Sequence, residues 1–236
     1  MPRPVELILF DIDGTLLSAF GAGFHSLAQA FDEVFSRSDA ANRFSPHWFA
    51  GRNDMWILRE VAIAAGISAS DYEVGYARLE ATYLRRLQEN LPGWTGATLL
   101  PGVAGLLDAL EAHRHRPGLG IVTGNLEQGA RIKLGHFGIA NRFEVGGYGS
   151  DAVEREVTAR LARERFERRR GRSIDPEAVL IVGDTIHDIA AARACGYRVA
   201  AVTTGTTSRA DLEQAGPDLL LADLSDPAPI LRLLPA

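Results

Sequence analysis

The sequence predicts an α/β protein, with a mainly parallel, Rossmann-like sheet, helices on both faces and an all-helical insert. Three observations carry this. Four short apolar runs, at 5–10, 119–122, 179–182 and 199–202, have the length and composition of strands buried on both faces, and each ends at polar, glycine-containing residues. Helical patterns separate the later runs, the signature of parallel strands joined by crossovers. Between about residues 20 and 90 the alternation stops and only helical periodicity remains.

Taken in order, the first run leads into Asp11-Ile12-Asp13-Gly14-Thr15, whose glycine supplies a turn. Phe24, Leu27, Ala28, Phe31, Val34 and Phe35 then share one helical face, followed by helices over 56–65, stopped at Gly66, and over 77–87. Gly21-Ala22-Gly23 and Leu91-Pro92-Gly93, with Pro101-Gly102, bound this stretch as flexible or turn-forming edges. The expected organisation is a core of residues 1–17 and 96–236 with a helical cap over 18–95, able to swing over the sheet as a lid. Val103, Leu106, Leu107 and Leu110 mark the next helix, and Val157, Leu161 and Phe166 another within an Arg-rich segment. Ligands of such sheets bind beyond the carboxyl ends of the strands. Thr123-Gly124-Asn125, Gly183-Asp184 and Thr203-Thr204-Gly205 stand there.

A chain of 236 residues with 46% hydrophobic content buries a substantial core. The net charge of −5 supplies no cationic field for nucleic acid or an anionic membrane, and no apolar stretch approaches a membrane span. Small-molecule chemistry is the better expectation, with no nucleic acid and no membrane; monomer and homodimer are both compatible. One cysteine, Cys195, permits no intrachain disulfide, and no signal peptide opens the sequence, so a cytoplasmic location is expected. Among the 25 basic residues Lys133 is the only lysine.

Asp11 and Asp13 cannot both stay ionised in a partly dry site unless a cation offsets their repulsion or one keeps a proton. Mg²⁺ takes oxygen ligands from carboxylates, waters and substrate phosphate. Asp184 and Asp188 follow another strand end, so adjacency of the 5–10 and 179–182 strands would gather four acids at one edge of the sheet. Alternate residues of extended chain point the same way, which lets Asp11 and Asp13 face one reacting centre. The pair suits a nucleophile for phosphorus and a general acid/base. Thr123, Gly124 and Asn125 offer a hydroxyl, backbone N–H groups and an amide for the phosphoryl oxygens, just before a helix N-terminus that favours anions.

The segments Asp11-Ile12-Asp13-Gly14-Thr15-Leu16, Val122-Thr123-Gly124-Asn125 and Gly183-Asp184-Thr185-Ile186-His187-Asp188 resemble, in order, the motifs of the haloacid dehalogenase superfamily of phosphohydrolases. Residues 101–110 resemble the re-entry into the core after a helical cap in phosphoglycolate phosphatase-like members. The resemblance implies a Mg²⁺-dependent phosphatase acting on a small phosphate monoester through an aspartyl phosphate, so the expected partner is a small phosphorylated metabolite. Asp11 would be its nucleophile, Asp13 its acid/base and Thr123 a phosphate-binding hydroxyl. Mg²⁺ would be held by Asp11, the main-chain carbonyl of Asp13 and Asp184, with Asp188 in or beside the shell. The family places a lysine upstream of its second acidic motif, where this chain has none. Arg155 stands at about that position and is the expected substitute, with a fork in place of a point charge. Lys133 is the alternative, but lies ten residues beyond Thr123, roughly 15 Å along a continuous helix. Dehalogenases of the family lack the second aspartate, which argues against that chemistry. A sugar phosphate mutase and a silent binding or regulatory module stay open as alternatives.

Other features have simpler readings. Asp184 and Asp188 suit an N-cap and first-turn acid on a helix over 189–194, alongside any chemistry. The Arg-rich 160–172 segment reads as a solvated helix face, His187 as a loop residue and Cys195 as a small packed one. Gly51-Arg52-Asn53-Asp54 is either a substrate contact through Arg52 or a helix-start turn. Phe20, His25, Trp48 and Trp56 either line the lid or form its core.

Overall fold

The first apolar run lies at the centre of the sheet. In the computed structural model, which describes residues 3–235 and omits the side chains of Phe20, Asn42, Pro46 and His47, β1 spans Leu7–Phe10 with all four side chains fully buried. It pairs in parallel with β4 (Gly118–Val122) on one side and β6 (Val179–Gly183) on the other, Leu7 standing opposite both Gly118 and Val179. With β5 (Val145–Gly147), β7 (Arg198–Val202) and β8 (Leu219–Leu221), the parallel sheet has the order β5-β4-β1-β6-β7-β8. The expected adjacency of the first and third runs is thus present. The edge strands β5 and β8 go beyond the four predicted runs; each has three residues, and two of those in β5 are glycine, too little for a pattern.

Strand alternation sorts the core into two faces. Ile8 and Phe10 pack with Leu106, Leu107 and Leu110 of α4 (Val103–Ala112) and with Ala130 and Leu134 of α5 (Glu127–His136). Leu7 and Leu9 join Ala159, Ala162 and Phe166 of α6 (Arg155–Arg170) and Ile189 and Ala192 of α7 (Ile186–Cys195). Leu212 of α8 (Arg209–Ala215) belongs to that second cluster, and Ile230 of α9 (Ala228–Leu231) to the first. Within 160–172 Arg165 pairs with Asp151 and Arg170 with Glu144, acids of the same surface, so this segment is a solvated face.

Residues 20–90 are helical as expected, in α1 (Phe20–Phe35), α2 (Asp54–Ala64) and α3 (Ala69–Asn90). Helices α1 and α3 lie against each other, tied outside by Arg85 and Arg86 to Glu33 at 2.7 and 2.8 Å. The chain leaves for the helices and returns through a two-stranded antiparallel ladder, β2 (Leu17–Ser18) and β3 (Thr98–Leu99), with Leu17 opposite Leu99. No helix among the described residues is long and apolar enough to cross a membrane.

Candidate active site

The chain crosses from β1 to β4 on one side and later to β6 on the other, so the carboxyl end of β1 is the switch point at which an open parallel sheet presents a crevice. Asp11 is the first residue past β1, and its N–H donates to the Val182 carbonyl of β6 at 2.9 Å. Gly14 turns the chain at φ +89°, and a Cβ there would lie 2.5 Å from Asp184 Oδ2. Glycine is therefore required both by the conformation and by the close approach of the acid.

Asp11, Asp184 and Asp188 form one buried cluster in which each offers a carboxylate oxygen within 4.8 Å of one from each of the others. Thr15 Oγ1 donates to Asp184 Oδ1 at 3.0 Å. Asp188 Oδ2 accepts from the Thr185 N–H and hydroxyl at 3.0 and 2.7 Å, and the Thr185 hydroxyl oxygen accepts the Asp188 N–H. This reciprocal capping box starts α7 at Ile186, so the N-cap is Thr185 and the helix begins three residues before 189. Asp188 is the first-turn acid of that helix, and Asp184 precedes the cap.

Arg155 Nη2 sits 2.5 Å from Asp11 Oδ1 and 2.8 Å from Asp188 Oδ1. Neither contact is aligned as a hydrogen bond: Arg155 Nη2 and Nε and Asp188 Oδ1 are all buried without a hydrogen-bond partner. Burial pushes the Asp11 carboxyl up to about 7 against the pull of Arg155, with the charges of Asp188 and Asp13 adding to the rise. Asp184 is raised well above the usual carboxylate range, first by burial and then by Asp11 and Asp188. Burial opposes the charge on Arg155, but Asp11, Asp188 and Asp184 outweigh it and hold the guanidinium protonated. Three crowded carboxylates and one arginine leave an excess of negative charge. An all-oxygen donor set with an unsatisfied acceptor fits a hard divalent cation.

Asp13 stands in a different environment. Its Oδ2 accepts from Lys133 Nζ at 2.5 Å and from Asn125 Nδ2 at 2.8 Å, while its Oδ1 has no hydrogen-bond partner. Asn125 Oδ1 also accepts from Lys133 at 2.6 Å, and its Nδ2 reaches Thr123 Oγ1 at 2.8 Å. The expectation that distance would keep Lys133 away is corrected. Residues 123–126 are not helical, α5 starts only at Glu127, and a long helical side chain leans back toward its N-terminus. Arg155 and Lys133 therefore take separate seats, one beside Asp11 and one beside Asp13. The signal that Lys133 belongs here was its uniqueness in an arginine-dominated chain.

The insert closes over these groups. Asn53 caps α2, its Oδ1 accepting from the Trp56 N–H at 3.1 Å, and its Nδ2 donates to the carbonyls of Gly149 and Ala152, both at 2.9 Å. Asp54 N–H donates to the Gly124 carbonyl at 2.8 Å, and Asp54 Oδ2 accepts the Leu126 N–H at 2.9 Å. The expected anion seat before α5 is thus taken by a carboxylate of the insert itself. A Cβ on Gly124 would collide with the Arg52 carbonyl, so this glycine permits the contact as well as the turn. Arg155 Nη1 reaches the Gly51 carbonyl at 3.3 Å.

Asp11, Asp13, Asp184, Asn125, Lys133 and Arg155 border a cavity of about 240 Å³, together with Arg52 and Asp54 of the insert and with Thr123, Thr204 and Gly205. A Cβ on Gly205 would meet Asp184, and Thr204 Oγ1 donates to the Gly14 carbonyl at 2.6 Å, contacts that the sequence showed only as a polar strand end. Trp48 and Trp56 stack on one another away from the cavity, with centroids 5.0 Å apart, and His25 packs on Trp94; Phe20, expected beside them, lies outside the described side chains. Phe24, Phe49 and Tyr83 supply the aromatic lining instead.

Comparison with known proteins adds three findings. The family model described as haloacid dehalogenase-like hydrolase matches residues 5–196. A phosphoglycolate phosphatase of Synechococcus elongatus is 31% identical over 94% of this chain and 95% of its own, and that of Nitrosococcus oceani is 26% identical over 95% of each. Among solved structures, a predicted phosphoglycolate phosphatase from Haemophilus somnus 129PT superposes with a TM-score of 0.72 at 22% identity, over 96% of this chain and 98% of its own.

Proposed function

Because the chain belongs to the haloacid dehalogenase-like hydrolases, we propose that it is a Mg²⁺-dependent phosphatase that hydrolyses a small phosphate monoester through an aspartyl phosphate on Asp11. The observation that carries the reading is the division of the four acids. Asp11, Asp184 and Asp188 crowd together beside Arg155, whereas Asp13 is held apart by Lys133 and Asn125. This division supports giving the attack to one aspartate of the doublet and the proton to the other.

Asp11, Asp184 and the main-chain carbonyl of Asp13 would hold Mg²⁺, with Asp188 beside them. The bound ion would neutralise the carboxylates and the phosphoryl oxygens. Arg155 offsets the charge that Asp11 carries before attack. An Asp11 carboxylate oxygen bonds to phosphorus as the ester P–O bond breaks, and Asp13 gives its proton to the departing alkoxide oxygen. Water then attacks phosphorus, its proton passes to Asp13, and phosphate and free Asp11 are released. Lys133 and Asn125 fix Asp13 through Oδ2 and leave the unpartnered Oδ1 as the oxygen that moves the proton. Thr123 offers its hydroxyl and Gly124 its N–H to the phosphoryl oxygens, while Asn125 acts by linking Thr123, Asp13 and Lys133. The helices of 18–95 act as the cap that excludes bulk water.

Phosphate release from a panel of monoesters, with and without Mg²⁺ and with Asp11→Asn as control, tests the assignment. Mg²⁺-dependent turnover that the substitution abolishes is expected; turnover unchanged in the variant would defeat it.

A further inference from the structure

We propose that Arg155 couples the insert to the nucleophile: the insert fixes the orientation of its guanidinium, so Asp11 meets this counter-charge in the attacking geometry only under a closed insert. This rests on the phosphatase reading and makes Arg155 a positioning residue for Asp11. Attraction to Asp11 and Asp188 draws Nη2 to 2.5 and 2.8 Å from their oxygens. Attraction between charges depends on distance, whereas a hydrogen bond also sets an angle. Among the described residues neither Nη2 nor Nε has a hydrogen-bond partner. The directed bond that this guanidinium does make is the donation from Nη1 to the Gly51 carbonyl at 3.3 Å, and Gly51 belongs to the insert. A fork can stand beside the carboxylates with one arm and reach the insert with the other. Lysine offers one nitrogen for both.

The backbone that delivers Arg155 is gripped from the same side. Asn53 Nδ2 donates to the carbonyls of Gly149 and Ala152, both at 2.9 Å, in the loop that leads into α6, and Arg155 is the first residue of that helix. Glu154, the N-cap, makes no capping hydrogen bond with its side chain, so the first turn of α6 takes no support from its own cap. Gly51 meets the other flank of the acid cluster as well. It turns at φ +67°, and a Cβ there would lie 2.9 Å from Thr185 Cγ2 and 3.3 Å from His187 Cδ2. Thr185 is the residue whose hydroxyl holds Asp188. Residues 51–53 therefore bear on Arg155, on the loop before it and on the residue that orients its second carboxylate partner. Lifting the insert removes these contacts together and leaves the guanidinium attracted to the acids without an angle to hold.

Arg155→Lys keeps a positive charge beside Asp11 and gives up the fork. Amide hydrogen exchange across 46–54, followed by mass spectrometry without substrate, should quicken by about 5-fold or more in this variant, while exchange at 7–10 stays as in the parent. With p-nitrophenyl phosphate and Mg²⁺, kcat should fall by about 10-fold or more, because substrate can close the insert but cannot restore the orientation; loss of a mere prop for the insert would raise KM alone. Asn53→Ser keeps a capping oxygen for α2 and removes both donations to the loop. The double variant should lose at least about 3-fold less in kcat/KM than the product of the two single losses, since both act through one contact set. Unchanged exchange across 46–54 in Arg155→Lys, an effect on KM alone, or losses that simply multiply would overturn the coupling and leave the phosphatase standing. A parent that releases no phosphate defeats the phosphatase reading instead, and the exchange measurement then decides the coupling by itself.

Discussion

Replacing Lys133 by methionine keeps the stem of the side chain and removes the charge that joins Asp13 to Asn125. The ammonium makes two short contacts, at 2.5 and 2.6 Å, and its side chain is 6% exposed against 25% for Asp13. Breaking a buried ion pair from one side costs about 3–5 kcal/mol. Water reaches part of Asp13 and can solvate what is left behind, which places the loss nearer about 2–3 kcal/mol. For a chain of this size each kcal/mol shifts the melting temperature by about 2–4 °C, so calorimetry or fluorescence melting should show a fall of about 4–12 °C. Asp13→Asn alone should also destabilise, because it leaves Lys133 buried without its counter-charge. The double variant Lys133→Met/Asp13→Asn should therefore lose less than the sum of the two single losses, by at least about 1 kcal/mol. A Lys133→Met protein melting within about 2 °C of the parent, or strictly additive losses, would refute the coupling and with it the fixing of Asp13 by Lys133.

Gly124→Ala should prise the insert from the sheet, because the added methyl meets the Arg52 carbonyl; limited proteolysis within 46–54 and a raised KM read this, and an unaltered digestion pattern contradicts it. Thr185→Ala removes the cap of α7 and a hydroxyl that holds Asp188; a loss of about 1–2 kcal/mol is expected in denaturant unfolding, together with weaker Mg²⁺ binding by calorimetry. Asp54 gives the pH prediction. Burial raises its carboxyl from 3.8 to about 6, against the pull of Lys133, so the folded state holds this proton more tightly than the unfolded state. The stability it contributes is complete below about pH 4 and is lost as pH rises through about 6. That interval corresponds to at most about 3 kcal/mol. Asp54→Asn should therefore gain on the parent between pH 4 and 7 in paired melting curves, and a constant difference across that range would rule the mechanism out.

The sheet was legible because its four central strands are uninterrupted apolar runs, and β1 needs no partner's identity to be read as buried on both faces. Strands β5 and β8 were not, since three residues at an edge carry no period. Asp11, Asp13, Asp184 and Asp188 were legible as a set, because a carboxylate directly after a buried strand is costly to keep there unless a cation or a reacting group meets it. Their division into a cluster of three and a separate Asp13 was not, since it depends on Lys133 reaching back along α5 and on Asn125 spending its amide on neighbours. Counting residues as helical rise misplaced Lys133: the count treated the non-helical 123–126 segment as helix and ignored the length of a lysine. The N-terminus of α5 was read as open to a ligand because the acid that fills it, Asp54, lies 72 residues away in sequence.

The ladder of Leu17 and Ser18 with Thr98 and Leu99 has a bearing on how such a molecule changes over time. Since the chain departs and returns at neighbouring positions, the closure cost of whatever lies between grows only slowly with its length, by about 0.6 kcal/mol for each doubling. Helices can be lengthened, exchanged or lost at that point while Leu7–Phe10 and the acids beyond it keep their register. The sheet edge can then preserve one chemistry through many generations while the grafted segment is redrawn for each new alcohol.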